Sequence, residues 1–468
     1  MPVIRTWQLA AGAAVTGLAL AAGAVLAAGP WESGQREAER ERAAGADRAW
    51  TSGAGRADNR PPARPRPAPA PSAPAVLSAL GTPAPTGPAD GKPGELGEEL
   101  GPLFADPGLG PLRTASVVDV STGRQLYGKG ATRAMTPAST VKIATAVAAL
   151  TALGPDHRVP TTVVADGKRI TLVGGGDAGL DRAALRTLAE RTARALRDRG
   201  VTGVRMAYDT SLYRGNPLHP IGMNGNIAPV TALMVDQGRI DPRAAGYTER
   251  SHDPAGEAAR AFAGMLGRAG VRVTASPAPG RPAKDSRPLA EVVSRPLSAL
   301  VERMLTDSDN DLAEALARQT ALATGEKADF AGAGRAVRAQ LAKSGLPLGG
   351  ARFADGSGLD RRGRVSAGLL TALLAEAARP DRPELRSVLT GLPVAGFSGT
   401  LRARYSDTTP GSGLIRAKTG TLTGVNALSG TVVAPDGRLL AFAFLAGRTT
   451  SRDEAQDALD RLAAALVS

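Results

Sequence analysis

The sequence predicts a mixed α/β protein in which an antiparallel sheet is flanked by helices and a smaller α/β domain is inserted into the chain. Three observations carry this. Alternating apolar residues form a hairpin pattern early in the folded region and a strand meander at its end, helical periodicity fills most of the stretch between, and a second hairpin followed by a helix and a strand lies within that stretch.

Leu9 to Ala28 is uncharged and rich in Ala, Leu, Val and Gly, preceded by Arg5. It reads as an export signal, with Val25 and Ala27 at small-residue cleavage positions, or as a retained membrane anchor over residues 1–29. Residues 30–95 are first charged and Ala-rich, then crowded with proline (Pro61, Pro62, Pro65, Pro67, Pro69, Pro71), a composition that favours an extended tether over a core. Folded structure is expected from Leu96 onward.

Thr114 to Val120 alternates as a strand, Ser121-Thr122-Gly123 turns, and Arg124 to Gly128 returns. An apolar helical run, Ile143 to Leu150, follows. Val159 to Ala165 and Arg169 to Val173 form the second hairpin. Next come the glycines Gly174-Gly175-Gly176-Asp177-Ala178-Gly179, a helix over Arg182 to Arg199 and a strand over Val201 to Tyr208. Helices are expected at Gly256 to Arg268, Leu297 to Thr306, Asp311 to Ala323, Gly332 to Lys343, Ala367 to Ala378 and Pro383 to Leu389, with a short strand at Val271 to Ala275. Strands at Leu414 to Thr421, Asn426 to Ala434 and Arg438 to Ala446 precede a last helix, Asp453 to Leu466. The expected parts are a main domain of residues 96–160 and 295–468 and an insert of 161–294.

Composition excludes several functions. Without cysteine there is no disulfide, thiol nucleophile or cysteine-bound metal, and His157, His219 and His252 lack ligand spacing, so neither metal nor other cofactor is expected. The formal charge of +13 is spread along the chain; it suits polyanionic surroundings, and a high-GC codon bias accounts for it equally. Only 3% of residues are aromatic, and Trp7, Trp31 and Trp50 all fall in the first fifty, which leaves no platform for stacking bases. Nucleic acid is not an expected partner.

The chemistry centres on Ser139 and Lys142. On a helix, residues three apart share a face. A serine hydroxyl needs a base to attack a carbonyl, no histidine lies nearby in sequence, and a lysine one turn away can serve if it is neutral. A helix N-terminus, burial and neighbouring cations all lower a lysine pKa. Two further patterns follow in order, Ser308-Asp309-Asn310 on a connection between helices and Lys418-Thr419-Gly420-Thr421 at the end of a strand.

This ordered set resembles the serine β-lactamases and penicillin-binding proteins. Ser308 comes roughly 170 residues after Ser139, room for an inserted domain, and within that superfamily the chain resembles the class C low-molecular-mass penicillin-binding proteins, the D-alanyl-D-alanine carboxypeptidases and endopeptidases of the penicillin-binding protein 4 type. Gly174 to Asp177, Ala228-Pro229-Val230-Thr231-Ala232-Leu233 and Asp355-Gly356-Ser357-Gly358-Leu359 extend the match; where the family often has aromatic residues, this chain has Asn224-Gly225-Asn226-Ile227. The resemblance implies a β-lactamase/transpeptidase-like fold and an extracytoplasmic enzyme acting on peptidoglycan stem peptides, acylated by β-lactam antibiotics. Ser139 is then the nucleophile and Lys142 its base, with an oxyanion hole from the N–H groups of Ser139 and Thr421. Ser308 would relay a proton and Asn310 hold Lys142. Lys418, Thr419 and Thr421 would take the substrate carboxylate, with Gly420 leaving room along the strand edge. A class A β-lactamase fits poorly: its motif interval is shorter, and Ser344-Gly345 stands where its water-activating acid would be.

Two other classes compete. A membrane-tethered module that binds wall or senses β-lactams without turnover would keep the fold and lose a motif residue, and none is lost. A dinucleotide oxidoreductase is suggested by Gly174 to Gly179, but the next acidic residue, Asp209, comes about ten residues late and the preceding strand reads as polar and hairpin-paired.

Overall fold

Alternating segments can bury only one side of a sheet, so the two ends of the chain have to meet around the helices between them. The computed structural model describes residues 95–244, 246–405 and 409–467. The leader of residues 1–29 and, apart from Glu95, the segment 30–95 lie outside the described residues.

Helix α1 (Glu95–Phe104) leads to β1 (Leu112–Asp119), β2 (Gln125–Lys129) and the short β3 (Ala134–Met135). A 3-10 turn over Ala138–Val141 then runs into α2 (Lys142–Leu153). The insert comprises β4 (Pro160–Asp166), β5 (Arg169–Val173), α3 (Arg182–Arg197), β6 (Gly203–Asp209), α4 (Pro254–Arg268), β7 (Arg272–Val273), β8 (Ala278–Pro279) and β9 (Arg287–Val293). Helices α5 (Leu297–Thr306), α6 (Asn310–Ala323) and α7 (Phe330–Lys343) follow, then β10 (Val365–Ser366), α8 (Ala367–Ala378) and α9 (Arg386–Thr390). The chain closes with β11 (Arg416–Leu422), β12 (Val425–Val433), β13 (Leu439–Gly447) and α10 (Arg452–Ala464).

The main sheet has the order β11-β12-β13-β1-β2 and is antiparallel throughout. Strand β13 sits at its centre with both faces buried, and successive side chains serve different layers. Ala441, Ala443 and Leu445 face the layer of α2 and α8, whereas Phe442, Phe444 and Ala446 face α10 and Leu100 of α1. Helix α2 is buried on every side from Lys142 to Leu150, as expected of an all-round apolar helix. A charged residue at its start is therefore carried into the interior by the packing of the rest.

The insert builds its own sheet, order β7-β6-β5-β4-β9 with β8 also beside β6, from residues 160–293. Helices α3 and α4 cover it through Leu185, Leu188, Phe262 and Leu266. Two differences from the sequence reading appear here. Strand β9 pairs along β4 over residues to which the sequence reading gave no element; Pro288 and Glu291 obscure its alternation, and Pro288 is tolerated because β9 is an edge strand. Strand β5 is buried and pairs in parallel with β6 as well as with its hairpin partner, so it is not the polar, hairpin-only strand that counted against a dinucleotide site. The glycines themselves decide that question. A Cβ at Gly174 would lie 2.4 Å from Ala232 O, one at Gly175 1.8 Å from Pro160 O, and Gly176 adopts φ +92 beneath the Tyr213 hydroxyl. They admit the protein's own backbone, and the start of α3 is capped by Asp181.

Candidate active site

Ser139 lies in the 3-10 turn, and the α-helix proper begins at Lys142, so the two residues are not both in the first α-turn as expected. The tighter winding brings side chains three apart into line. Lys142 Nζ stands 2.9 Å from Ser139 Oγ, 2.7 Å from Asn310 Oδ1 and 2.7 Å from the Ser357 carbonyl. Thr140 Oγ1 donates to Pro137 O at 2.7 Å, and Ala138 holds φ +48, so the turn before the serine is pinned in a left-handed kink.

Lys142 is wholly buried. Burial drives its pKa down from 10.5 to about 8, against the opposite pull of Asp355, Glu314, Asp309 and Asp311. Four carboxylates moderate the shift, and desolvation wins.

The second motif turns sharply because Ser308 adopts φ +58 and Asp309 caps α6 by accepting the Leu312 N–H at 3.0 Å. Asn310, the first residue of α6, accepts from Lys142 through Oδ1 and donates Nδ2 to Asn226 O at 3.0 Å. The insert braces this turn elsewhere too. Gln237 Nε2 donates to Asp309 Oδ2 at 2.6 Å, and the buried Arg250 pairs with Asp311 at 2.8 Å. Burial pushes Asp311 up to about 7, with Arg250 pulling it back. Ala228 N donates to the same Asp311 carboxylate. Because Asn226 and Ala228 engage through backbone atoms, the 224–227 segment keeps these contacts whatever its side chains.

The third motif lies on edge strand β11, hydrogen-bonded to β12 alone in the main sheet. Thr419 and Thr421 face an open cleft of ≈ 970 Å³ that Ser139, Ser308 and Asn310 also line. Thr400 Oγ1 meets Thr419 Oγ1 at 2.8 Å, and Gln456 Nε2 donates to Thr421 Oγ1 at 3.3 Å. Lys418 departs from the sequence reading: it is fully buried, and its ammonium donates to Thr419 O at 2.9 Å. Burial, then the nearby Lys142 charge, holds it well below the ordinary lysine value. The motif thus offers hydroxyls to the cleft, with the lysine behind them. Gly420 also has a different reason from the one expected. A Cβ there would lie 2.7 Å from Pro137 O and 3.2 Å from Ala138 Cβ, so the glycine lets β11 close onto the serine turn.

Sequence reading missed how the 355–360 loop is held. Asp355 accepts from Gly358 N, Asp360 N and Ser357 Oγ, and Glu314 accepts from Gly356 N and Ser357 N. His219 Nε2 lies 2.9 Å from Asp355 Oδ2. His219, Glu314 and Asp355 place ligand-type atoms within 4.8 Å of one another. A metal on Nε2 would require the proton on Nδ1, yet Nδ1 accepts the Ile221 N–H at 3.3 Å. The donor set fits a hydrogen-bonded strut better than a metal site. No local pattern announces it, because the residues are far apart in sequence.

A serine at the mouth of a cleft, backed by a buried lysine whose pKa burial lowers, beside the edge of an antiparallel sheet packed between helices, defines a serine acyl hydrolase of β-lactamase/transpeptidase-like fold. The structure is similar to that of penicillin-binding protein 4 from Haemophilus influenzae, with a TM-score of 0.67 over 78% of this chain and 98% of that one at 20% identity. The model of the D-Ala-D-Ala carboxypeptidase 3 (S13) family matches residues 96–248 and 244–466, and the chain belongs to that family. It is 38% identical over 425 residues to carboxypeptidase DacB of Mycolicibacterium smegmatis, covering 86% of this chain and 89% of that protein. To a D-alanyl-D-alanine carboxypeptidase of an Actinomadura species it is 29% identical, covering 74% and 80% respectively. The protein is a serine-type D-Ala-D-Ala peptidase acting on peptidoglycan.

Proposed function

We propose that this enzyme cleaves peptidoglycan stem peptides ending in D-Ala-D-Ala through an acyl-enzyme on Ser139. The observation that carries the reading is the 2.9 Å approach of Ser139 Oγ to the buried Lys142 amine. Neutral Lys142 takes the hydroxyl proton as Oγ bonds to the carbonyl carbon of the penultimate D-Ala. The oxygen that gains charge is met by the N–H groups of Ser139 and Thr421. Ser308 hands the proton to the departing amine, and Asn310 holds both Lys142 and the substrate amide. Thr419 and Thr421 hydrogen-bond the terminal carboxylate, and Lys418, buried behind them, ties its amine to the Thr419 carbonyl. Water then attacks the ester, the proton returns through Lys142, and Ser139 is freed.

Release of free D-Ala is carboxypeptidase action, and release of a cross-bridge amine is endopeptidase action. β-Lactams acylate the same serine. In this reading the enzyme acts outside the cytoplasm, where its substrate is, with residues 1–29 as leader or tether; the uncharged run Leu9 to Ala28 supports it. Among the described residues no helix is long and apolar enough to cross a membrane. Incubation with penicillin followed by mass spectrometry tests the assignment: one adduct is expected on Ser139, and labelling of a Ser139→Ala variant would remove that residue as the nucleophile.

A further inference from the structure

The insert reaches the residues around Lys142 through Asn226, Ala228, Gln237, Arg250 and His219, and the last of these stands behind the general base. His219 comes from the insert loop after β6, fully buried, with the Phe330 ring edge-on at 5.2 Å between centroids. Its Nδ1 accepts from Ile221 N, so Nε2 carries the proton and donates to Asp355. Asp355 in turn fixes the loop through Gly358 N and Asp360 N. That loop has little freedom to move. Gly358 sits at φ +85 with room for a Cβ only 1.9 Å from Ala138 O, and Thr145 Oγ1 donates to Gly356 O at 2.8 Å. Its Ser357 carbonyl is one of the three acceptors around Lys142 Nζ.

We propose that His219 is a positioning residue for acylation: by donating to Asp355 it holds the 355–360 loop where Ser357 O orients Lys142 toward Ser139. This rests on the function proposed above and gives the insert a part in it. Asp355 is also the first of the carboxylates that favour the charged lysine, ahead of Glu314, Asp309 and Asp311. Lys418 faces Lys142 from β11 with like charge. Around the imidazole itself stand Asp355, Glu314 and Asp360. Without a donor at position 219, Asp355 keeps only its bonds within the loop, and the Ser357 carbonyl is held less firmly against Lys142 Nζ.

The test compares His219→Leu and His219→Gln with the parent chain in rapid acylation by penicillin, with thermal unfolding as the check on folding. In His219→Leu the maximal acylation rate falls about 10²-fold while the half-saturating penicillin concentration stays put. His219→Gln, which still offers a donor, recovers most of the rate. A folded His219→Leu that acylates at the parent rate, or whose loss lies in the half-saturating concentration instead, overturns the proposal. So does a glutamine variant as slow as the leucine one. Each variant is read as a ratio to the parent, whose own labelling tests the function, so the two ideas fail on different samples.

Discussion

The acylation rate should follow the neutral fraction of Lys142. With burial lowering its pKa from 10.5 to about 8, roughly 9% of molecules hold a neutral amine at pH 7, against about 0.03% for an unperturbed lysine, a gain of ~300-fold. That ratio is about 3 kcal/mol in favour of the reactive form. The direct measurement is a stopped-flow series of penicillin acylation from pH 5.5 to 9.5, with the acylating rate constant separated from binding. The rate rises about tenfold per pH unit on the acid side and levels off near pH 8. A rate that is flat between pH 6 and 8 would refute the lysine-base argument, as would a Lys142→Arg variant that acylates at neutral pH, because a guanidinium stays protonated there.

The same lowered pKa has a stability consequence. A lysine depressed in the folded state penalises folding most below its folded pKa, and the penalty disappears as pH rises toward the unfolded value. From pH 7 to pH 10 the parent chain should therefore gain stability relative to Lys142→Met, read by denaturant unfolding; parallel curves would contradict the buried charge. Gly420→Ala forces a Cβ against Pro137 O and should slow acylation about 10²-fold with little change in melting temperature, so a parent-like rate would show that β11 need not lie so close. Arg250→Ala leaves Asp311 buried without its ion pair and should cost about 3–5 kcal/mol at neutral pH. That loss shrinks as acid protonates Asp311, and a pH-independent loss would point to lost packing instead.

What the sequence discloses follows from the range of each interaction. Ser139 with Lys142, and Ser308 with Asn310, are spaced by local geometry, so the pattern of residue types is itself a signal. The joint order of the three motifs adds what each lacks alone. Helices Leu297–Thr306 and Ala367–Ala378 were readable to the residue because apolar periodicity and clear stops coincide. The 3-10 winding at Ser139 was not, since its residues fit either helix. Strand β9 was hidden by Pro288, and the parallel pairing of β5 depends on β6, beyond helix α3. The contact of His219 with Asp355 and the burial of Lys418 are products of tertiary packing, for which no nearby residue gives notice.

The register of β1 against β13 sets the order in which this molecule can assemble. Leu112 pairs with Gly447 near the far end of the chain, so as the polypeptide emerges the first strand waits for the last hairpin before the main sheet can close. The insert has no such delay, because β4 and β9 bracket a sheet made within residues 160–293. Short loops close at lower entropic cost than long ones, and the insert's sheet needs no strand from outside its own segment, so it can close before the main sheet does. It then stands as a template, presenting Gln237, Arg250 and His219 to carboxylates that arrive later. Deleting it to make a minimal enzyme would leave Asp309, Asp311 and Asp355 without these partners around Lys142.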